Sequence, residues 1–327
     1  KCLKSFLKTK YSNFEIVVID DVSTDGSYEF LMKKFKKNRK IRIIRNRKNS
    51  GPSYTRNNGV ASAKGEFIGF LETDMEVDAN WLNPLVKKLK NEKTLAAVQS
   101  KVLDLYKRNF IQAMGVHYDP YTFWVVSIGC GYHKDQFVES KEVSVGAVGS
   151  LYKKSVFDKL GGFDEKITHN IDDIDLGWRA WIAGYKMVTV PESITYHWTY
   201  KPLNKREKQI SSAVSEFHFQ KTPRIFLKNY EAENIIRYTP WLLLVFVLRT
   251  VKGLLQGNIN PLSGFVRSMF WNILVLPDTL QERRRIQKLR KVKDSYILSK
   301  IALKGNLFEN FFGEIYPILT RARQTFG

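Results

Sequence analysis

Three short apolar runs, set apart by helix-patterned stretches, constrain this chain more than any other feature. They are Phe14–Asp20 (FEIVVID), Ile41–Arg45 (IRIIR) and Glu66–Leu71 (EFIGFL). A continuous β-branched run without alternation suits a strand covered on both faces. After the first run come a turn, DVSTDGS, and a helix from about Tyr28 to Lys37. After the second come a loop, Asn49 to Pro52, and a helix from about Ser53 to Ala63, ended by Gly65. Strand–helix–strand–helix–strand predicts an α/β fold with a parallel sheet. In open sheets of this kind ligands bind beyond the carboxyl ends of the strands. Asp20 and Asp21 stand at one such end and Glu72 to Asp74 at another. Both acidic ends are therefore expected at one crevice.

Beyond this core, residues 95–150 read as strands and loops rich in aromatics (Tyr118, Tyr121, Phe123, Trp124, Tyr132). A helix is expected over 173–184, stopped by Gly184, then short strands at Lys186–Pro191 and Thr195–His197. The composition shifts after Tyr200, which predicts a catalytic segment over 1–200 and a helical, basic one over 201–327. Two apolar runs in the second segment, Trp241–Leu248 and Met269–Leu276, precede the cluster ERRRIQKLRKVK. Each run is shorter than the roughly 20 residues a bilayer crossing needs. Apolar runs beside Lys and Arg suit helices lying in a membrane interface; the competing reading is a helical subdomain buried against the rest.

The net charge of +21 calls for an anionic partner. Residues 201–327 carry 22 Lys/Arg against 9 Asp/Glu, so the excess is mostly a property of the second segment. No nucleic-acid recognition module accompanies it, which argues against a nucleic-acid partner. Two cysteines, Cys2 and Cys130, make neither a disulfide framework nor a zinc site. The dinucleotide, P-loop and nucleophile-elbow signatures are missing. The sequence starts at Lys1 without Met and looks as if it begins mid-fold.

Two acidic clusters carry the chemistry. Glu72-Thr73-Asp74 follows a strand directly, and two carboxylates spaced i, i+2 in a loop can turn toward one hard cation. Its bland reading is a solvated loop. Asp172-Asp173-Ile174-Asp175 opens a helix, where one acid serves as cap and the dipole favours the others. The sharper reading is a general base that takes a proton from an incoming hydroxyl. A lone His197 is more often structural, but an imidazole at the acidic loop would complete a metal shell.

These pieces resemble glycosyltransferase family 2 with the GT-A fold, of the rhamnosyltransferase or galactofuranosyltransferase kind. VVIDDVSTDGS is similar to the family's nucleotide-binding strand and turn. NSGPSYTRNNGVASAKGEFIGFLETD is similar to the stretch entering its metal motif. GAVGSLYKKSVFDKLGGFDE and IDDIDLGWRAWIAGYK…VPESITYHW resemble the acceptor-side stretch and the catalytic-base helix with its following histidine. The resemblance implies a Rossmann-like, mostly parallel sheet and an inverting, metal-assisted transfer from a nucleotide-sugar to a glycan or lipid-linked acceptor. It implies Asp173 as base, Asp74, His197 and Glu72 around Mg²⁺ or Mn²⁺, and Asp20, Ser23, Arg56 and Asn57 on the nucleotide. It also implies Asp172, Trp178 and Arg179 near the acceptor or behind the site, and a place at the cytoplasmic face of an anionic membrane. The chain departs from the family in lacking its initial strand, in carrying Glu72 where Asp is common, and in carrying Asp172 where Glu is commoner. Competing readings are a non-catalytic scaffold and a basic nucleic-acid-binding protein.

Overall fold

The computed structural model describes residues 1–120, 125–146, 148–167, 171–198, 220–255 and 257–303. Of the aromatics noted above, Tyr121, Phe123 and Trp124 lie outside these residues. The first two apolar runs form β1 (Ile16–Asp20) and β2 (Ile41–Arg45), a parallel ladder registered from Ile16 opposite Ile41 to Asp20 opposite Arg45. Helix α1 (Cys2–Phe6) precedes them and α2 (Ser27–Phe35) makes the crossover. Helix α3 (Pro52–Ser62) follows, with Pro52 in its first turn, where a missing N–H costs nothing.

The third run, β3 (Phe67–Phe70), belongs to a different sheet. There it pairs with β9 (Ser150–Lys153), followed by β5 (Leu95–Asp104), β10 (Lys186–His197) and β4 (Met75–Val77), with β6 (Ile111–Ala113) on the side of β5. β5 and β10 run parallel, but β3–β9, β5–β9, β4–β10 and β5–β6 are antiparallel. The central sheet is thus mixed, where a mostly parallel one is expected from the opening alternation. Strands β4, β6 and β9 arrive without crossover helices, and only a crossover returns a strand in parallel. Between the facing edges of β1 and β3, which share no ladder bond, lies a cleft of about 910 Å³ lined by Val17, Ile19, Ile68 and Phe70.

β10 is a single 12-residue strand where two short ones are expected. Its register on β5 shifts between Val190 and Ile194, a break that takes in Pro191, which has no N–H for the ladder. Helix α4 (Leu82–Asn91) buries Leu82, Leu85, Val86 and Leu89, a stripe of three- and four-residue steps, over one face of the sheet. A second, larger core holds α5 (Lys154–Leu160) and α6 (Asp172–Ile182). A two-stranded ladder, β7 (Val116–Tyr118) with β8 (Val125–Ser127), flanks that core.

The second segment packs on the first. Its helices are α7 (220–229), α8 (Ala232–Leu255), α9 (Asn260–Leu274), α10 (Leu276–Lys288) and α11 (Asp294–Ile301). Ile225, Phe226, Tyr230, Tyr238, Ile286, Ile297 and Ile301 share one core with Trp178 and Trp181 of α6. Tyr230 stacks on Trp178 with ring centroids 4.7 Å apart. Buried charges seal the joint. Asp175 accepts from Arg179, Lys228 and Asn229, and Asp164 accepts from Arg224 and Lys228. Arginines of the basic cluster are spent internally as well. Arg283 donates to the carbonyls of Leu227 and Tyr230, Arg285 to that of Leu160, and Arg290 to that of Asn229 and to Asp294.

Candidate metal centre and acidic site

The antiparallel ladder of β4 and β10 places His197 opposite Met75, the residue after Asp74. The Trp198 N–H donates to the Asp74 carbonyl at 3.3 Å, which holds the acidic loop against the strand end. His197 Nε2 then lies 3.4 Å from Asp74 Oδ1 and 3.7 Å from Glu72 Oε2. One ligand atom from each of the three falls within 4.8 Å of the others. The opposite ring nitrogen, Nδ1, lies 2.9 Å from Gln112 Oε1. An amide oxygen only accepts, so Nδ1 carries the hydrogen and Nε2 turns its lone pair to the carboxylates.

The residues fit a divalent cation. Asp74 Oδ1 and His197 Nε2 are both buried and neither has a hydrogen-bond partner. Buried polar atoms in that condition are costly, and a cation between them would satisfy both. Two carboxylates and an imidazole make a donor set of oxygen and nitrogen that suits a divalent metal ion. Burial opposes the charged imidazolium, yet the Glu72 and Asp74 carboxylates raise the His197 pKa above its ordinary value. The His197 imidazole beside it lowers the Glu72 carboxyl; burial works against this, and the Arg56 charge adds to it.

Arg56 joins this cluster to the second one. One end of its guanidinium donates to Glu72 Oε1 at 2.8 Å, the other to Asp172 Oδ2 at 2.5 Å. Ser53, one helical turn earlier on α3, donates to the same Asp172 oxygen at 3.2 Å. Asp172, Asp173 and Asp175 share the first turn of α6 but diverge around it. Asp172 and Asp175 are buried, while Asp173 stays half-buried. Its Oδ1 accepts the Ile174 N–H at 2.8 Å. Its Oδ2 faces Gly146, where a Cβ would sit 3.5 Å away, and Gln99 borders the same space. Asp173 is therefore the acid of this turn whose Oδ2 borders the Gly146 backbone.

The other expected residues divide. Asp20 ends β1 and is 5% exposed; its carboxylate accepts the Ser23 N–H at 3.3 Å and pairs with Arg45 at 3.1 Å. Ser23 thus lies in the same turn, which Val22 enters at φ +63. Asp21 caps the loop after β2 through Ser50, Gly51 and Asn46. Asn57 is not gathered into the acidic cluster with Arg56. Its side-chain amide bonds the backbone of Phe163 on both sides and reaches Glu165.

Trp178 and Arg179, expected near the acceptor or behind the site, are buried behind it. They are 2% and 1% exposed, Trp178 stacked on Tyr230 and Arg179 paired with Asp175. One helical stretch carries both acids and core residues, and at 100° per residue they point to different sides. Gln112, Ser53 and Gln99 join the site with no local signal. They meet it only through strand pairing and helix packing.

A family model described as Glycosyl transferase family 2 matches residues 1–161. The chain is 29% identical over 166 residues to glycosyltransferase GlyA of Streptococcus pneumoniae, covering 49% of this chain and 23% of that protein. It is 26% identical over 191 residues to poly-beta-1,6-N-acetyl-D-glucosamine synthase of Staphylococcus aureus, covering 58% and 44%. The chain thus spans less than half the length of these curated relatives. Among solved structures, S. aureus TarS 1-349 is similar with a TM-score of 0.52 at 17% identity, covering 91% of this chain and 87% of that one. GalNAc-T7 is similar with a TM-score of 0.52 at 19% identity, covering 68% and 47%. These likenesses show the GT-A fold.

Proposed function

We propose that the protein is an inverting glycosyltransferase, a reading that starts from the match of residues 1–161 to the glycosyl transferase family 2 model. It moves a sugar from a nucleotide-diphosphate donor to a hydroxyl of a glycan or lipid-linked glycan. The observation that carries the reading is the convergence of one ligand atom each from Glu72, Asp74 and His197 within 4.8 Å. The Arg56 fork, which ties that centre to the α6 acids, supports it further. So does the GalNAc-T7 structure, which contains UDP, GalNAc and Mn²⁺.

In this reading Asp74 and His197, with Glu72, would hold Mg²⁺ or Mn²⁺, which would supply Lewis-acid stabilisation of the departing nucleoside diphosphate. Asp173 accepts the proton of the acceptor hydroxyl as its oxygen bonds the anomeric carbon. The bond from that carbon to the donor phosphate breaks on the opposite side, so the configuration inverts. Asp20 and Ser23 sit on the donor side. Gln112 keeps the His197 lone pair aimed at the carboxylates.

A panel of UDP-, GDP- and dTDP-sugars, followed by thermal shift and by transfer, tests the proposal. At least one donor is expected to raise the melting temperature with Mn²⁺ present, and EDTA to abolish both the shift and the transfer. Transfer that persists unchanged in EDTA would refute the metal-assisted reading.

A further inference from the structure

Of the 26 exposed large hydrophobic side chains among the described residues, 17 lie between Ile236 and Leu280. They are carried mainly by α8, α9 and the turn between them. Leu255 is 83% exposed and Leu274 79%, with Ile259, Phe270 and Ile273 each above 60%. A soluble surface seldom concentrates apolar area in this way without something to cover it. Leu242 and Phe246 of α8 pack against Phe265 of α9, so the two helices hold each other and leave their outer sides bare. At the turn, Gly253 permits the close approach. A Cβ there would meet Pro261 at 2.6 Å.

We propose that this α8–α9 hairpin docks in one leaflet of an anionic lipid surface. Charge chooses lipid over protein. From Asn234 to Pro277 the sequence contains no Asp or Glu, and Arg237 and Arg267 stand exposed as cations. An acid-free apolar surface with scattered cations complements an anionic headgroup layer.

Topology chooses one leaflet over a crossing. Tyr230 and Tyr238 at the start of the hairpin, and Ile286 beyond its end, are all fixed in the main core. The chain must therefore leave and return on the same side. Helix α8 has 24 residues, but α9 has 15, and 15 residues rise only about 22 Å. A hydrocarbon core is roughly 30 Å thick, so α9 cannot make the return crossing. This inference stands apart from the transfer reaction and does not depend on it.

Co-sedimentation of the full chain with vesicles tests it. With POPC:POPG (70:30) vesicles the protein is expected in the pellet. Pure POPC is expected to retain it more weakly, and added salt to release it, because screening removes the cation contribution. The triple variant Leu255→Asp, Phe270→Asp, Ile273→Asp changes only exposed positions. It is expected to bind POPC:POPG vesicles at least about tenfold more weakly, with unchanged circular dichroism and melting temperature. Three outcomes would overturn the proposal: full chain left in the supernatant with both vesicles, a triple variant that binds like the parent, or a dimer in sedimentation velocity that the variant dissolves while no vesicle binding occurs.

Discussion

Asp173 differs from the other two acids of α6 by helix rotation, about 100° from Asp172 and about 200° from Asp175. Asp172 is consumed by Arg56 and Ser53, and Asp175 by Arg179, Lys228 and Asn229. Asp173 instead places its Oδ2 against Gly146, with Gln99 bordering the same place. Asp173→Asn is therefore expected to lower kcat by about 10²–10⁴-fold, the range for a positioned base, and to leave donor affinity within about twofold. Steady-state transfer assays with calorimetric donor binding check this. A kcat within tenfold of the parent would take the base role from Asp173. At this scale the sequence is legible where acids end strands, as at Asp20 and at Glu72 to Asp74. It is illegible where a residue reaches the site across the sheet. Gln112 lies 85 residues from His197, and no spacing rule connects them. Trp178 and Arg179 share the short motif of Asp173, and only the packing shows that they face the core.

Helix α3 acts as the link between two halves of the site. Ser53 and Arg56, one turn apart, bind α6 through Asp172, and Arg56 also binds the loop after β3 through Glu72. A fork with two fixed donor ends does this; a lysine has one point of charge and can satisfy only one carboxylate well. Arg56→Lys is expected to weaken Mn²⁺ binding about tenfold, read by electron paramagnetic resonance of the free ion. It is also expected to reduce kcat more than it raises the donor KM, with the melting temperature within a few degrees. Unchanged Mn²⁺ affinity with a normal kcat would mean that the fork only fastens helices together. Among the elements, β1, β2, β3 and α3 follow from apolar runs and turn residues. Strand β4 and helix α4 are harder to read, because MEV is three residues long and the α4 stripe is interrupted by lysines.

Across the whole molecule, buried charge fastens the second segment to the first. Burial would raise the carboxyl pKa of Asp164 and Asp175, but Lys228 and Arg224 around the former, and Arg179 and Lys228 around the latter, hold both below the ordinary range. A carboxyl depressed in the folded state contributes stability above its unfolded pKa of about 4 and loses it as pH falls toward the folded value. The urea midpoint is thus expected to hold steady near neutrality and to drop progressively below about pH 4. Asp175→Asn is expected to cost about 3–5 kcal/mol at pH 7, since it strands buried cations, and to flatten that acid dependence. A midpoint equally acid-sensitive in both proteins would remove Asp175 from the account. The basic cluster of α10 shows why net charge is a poor guide at this scale. Arg283, Arg285 and Arg290 read as surface potential in the sequence, yet their acceptors are backbone carbonyls brought near only by packing.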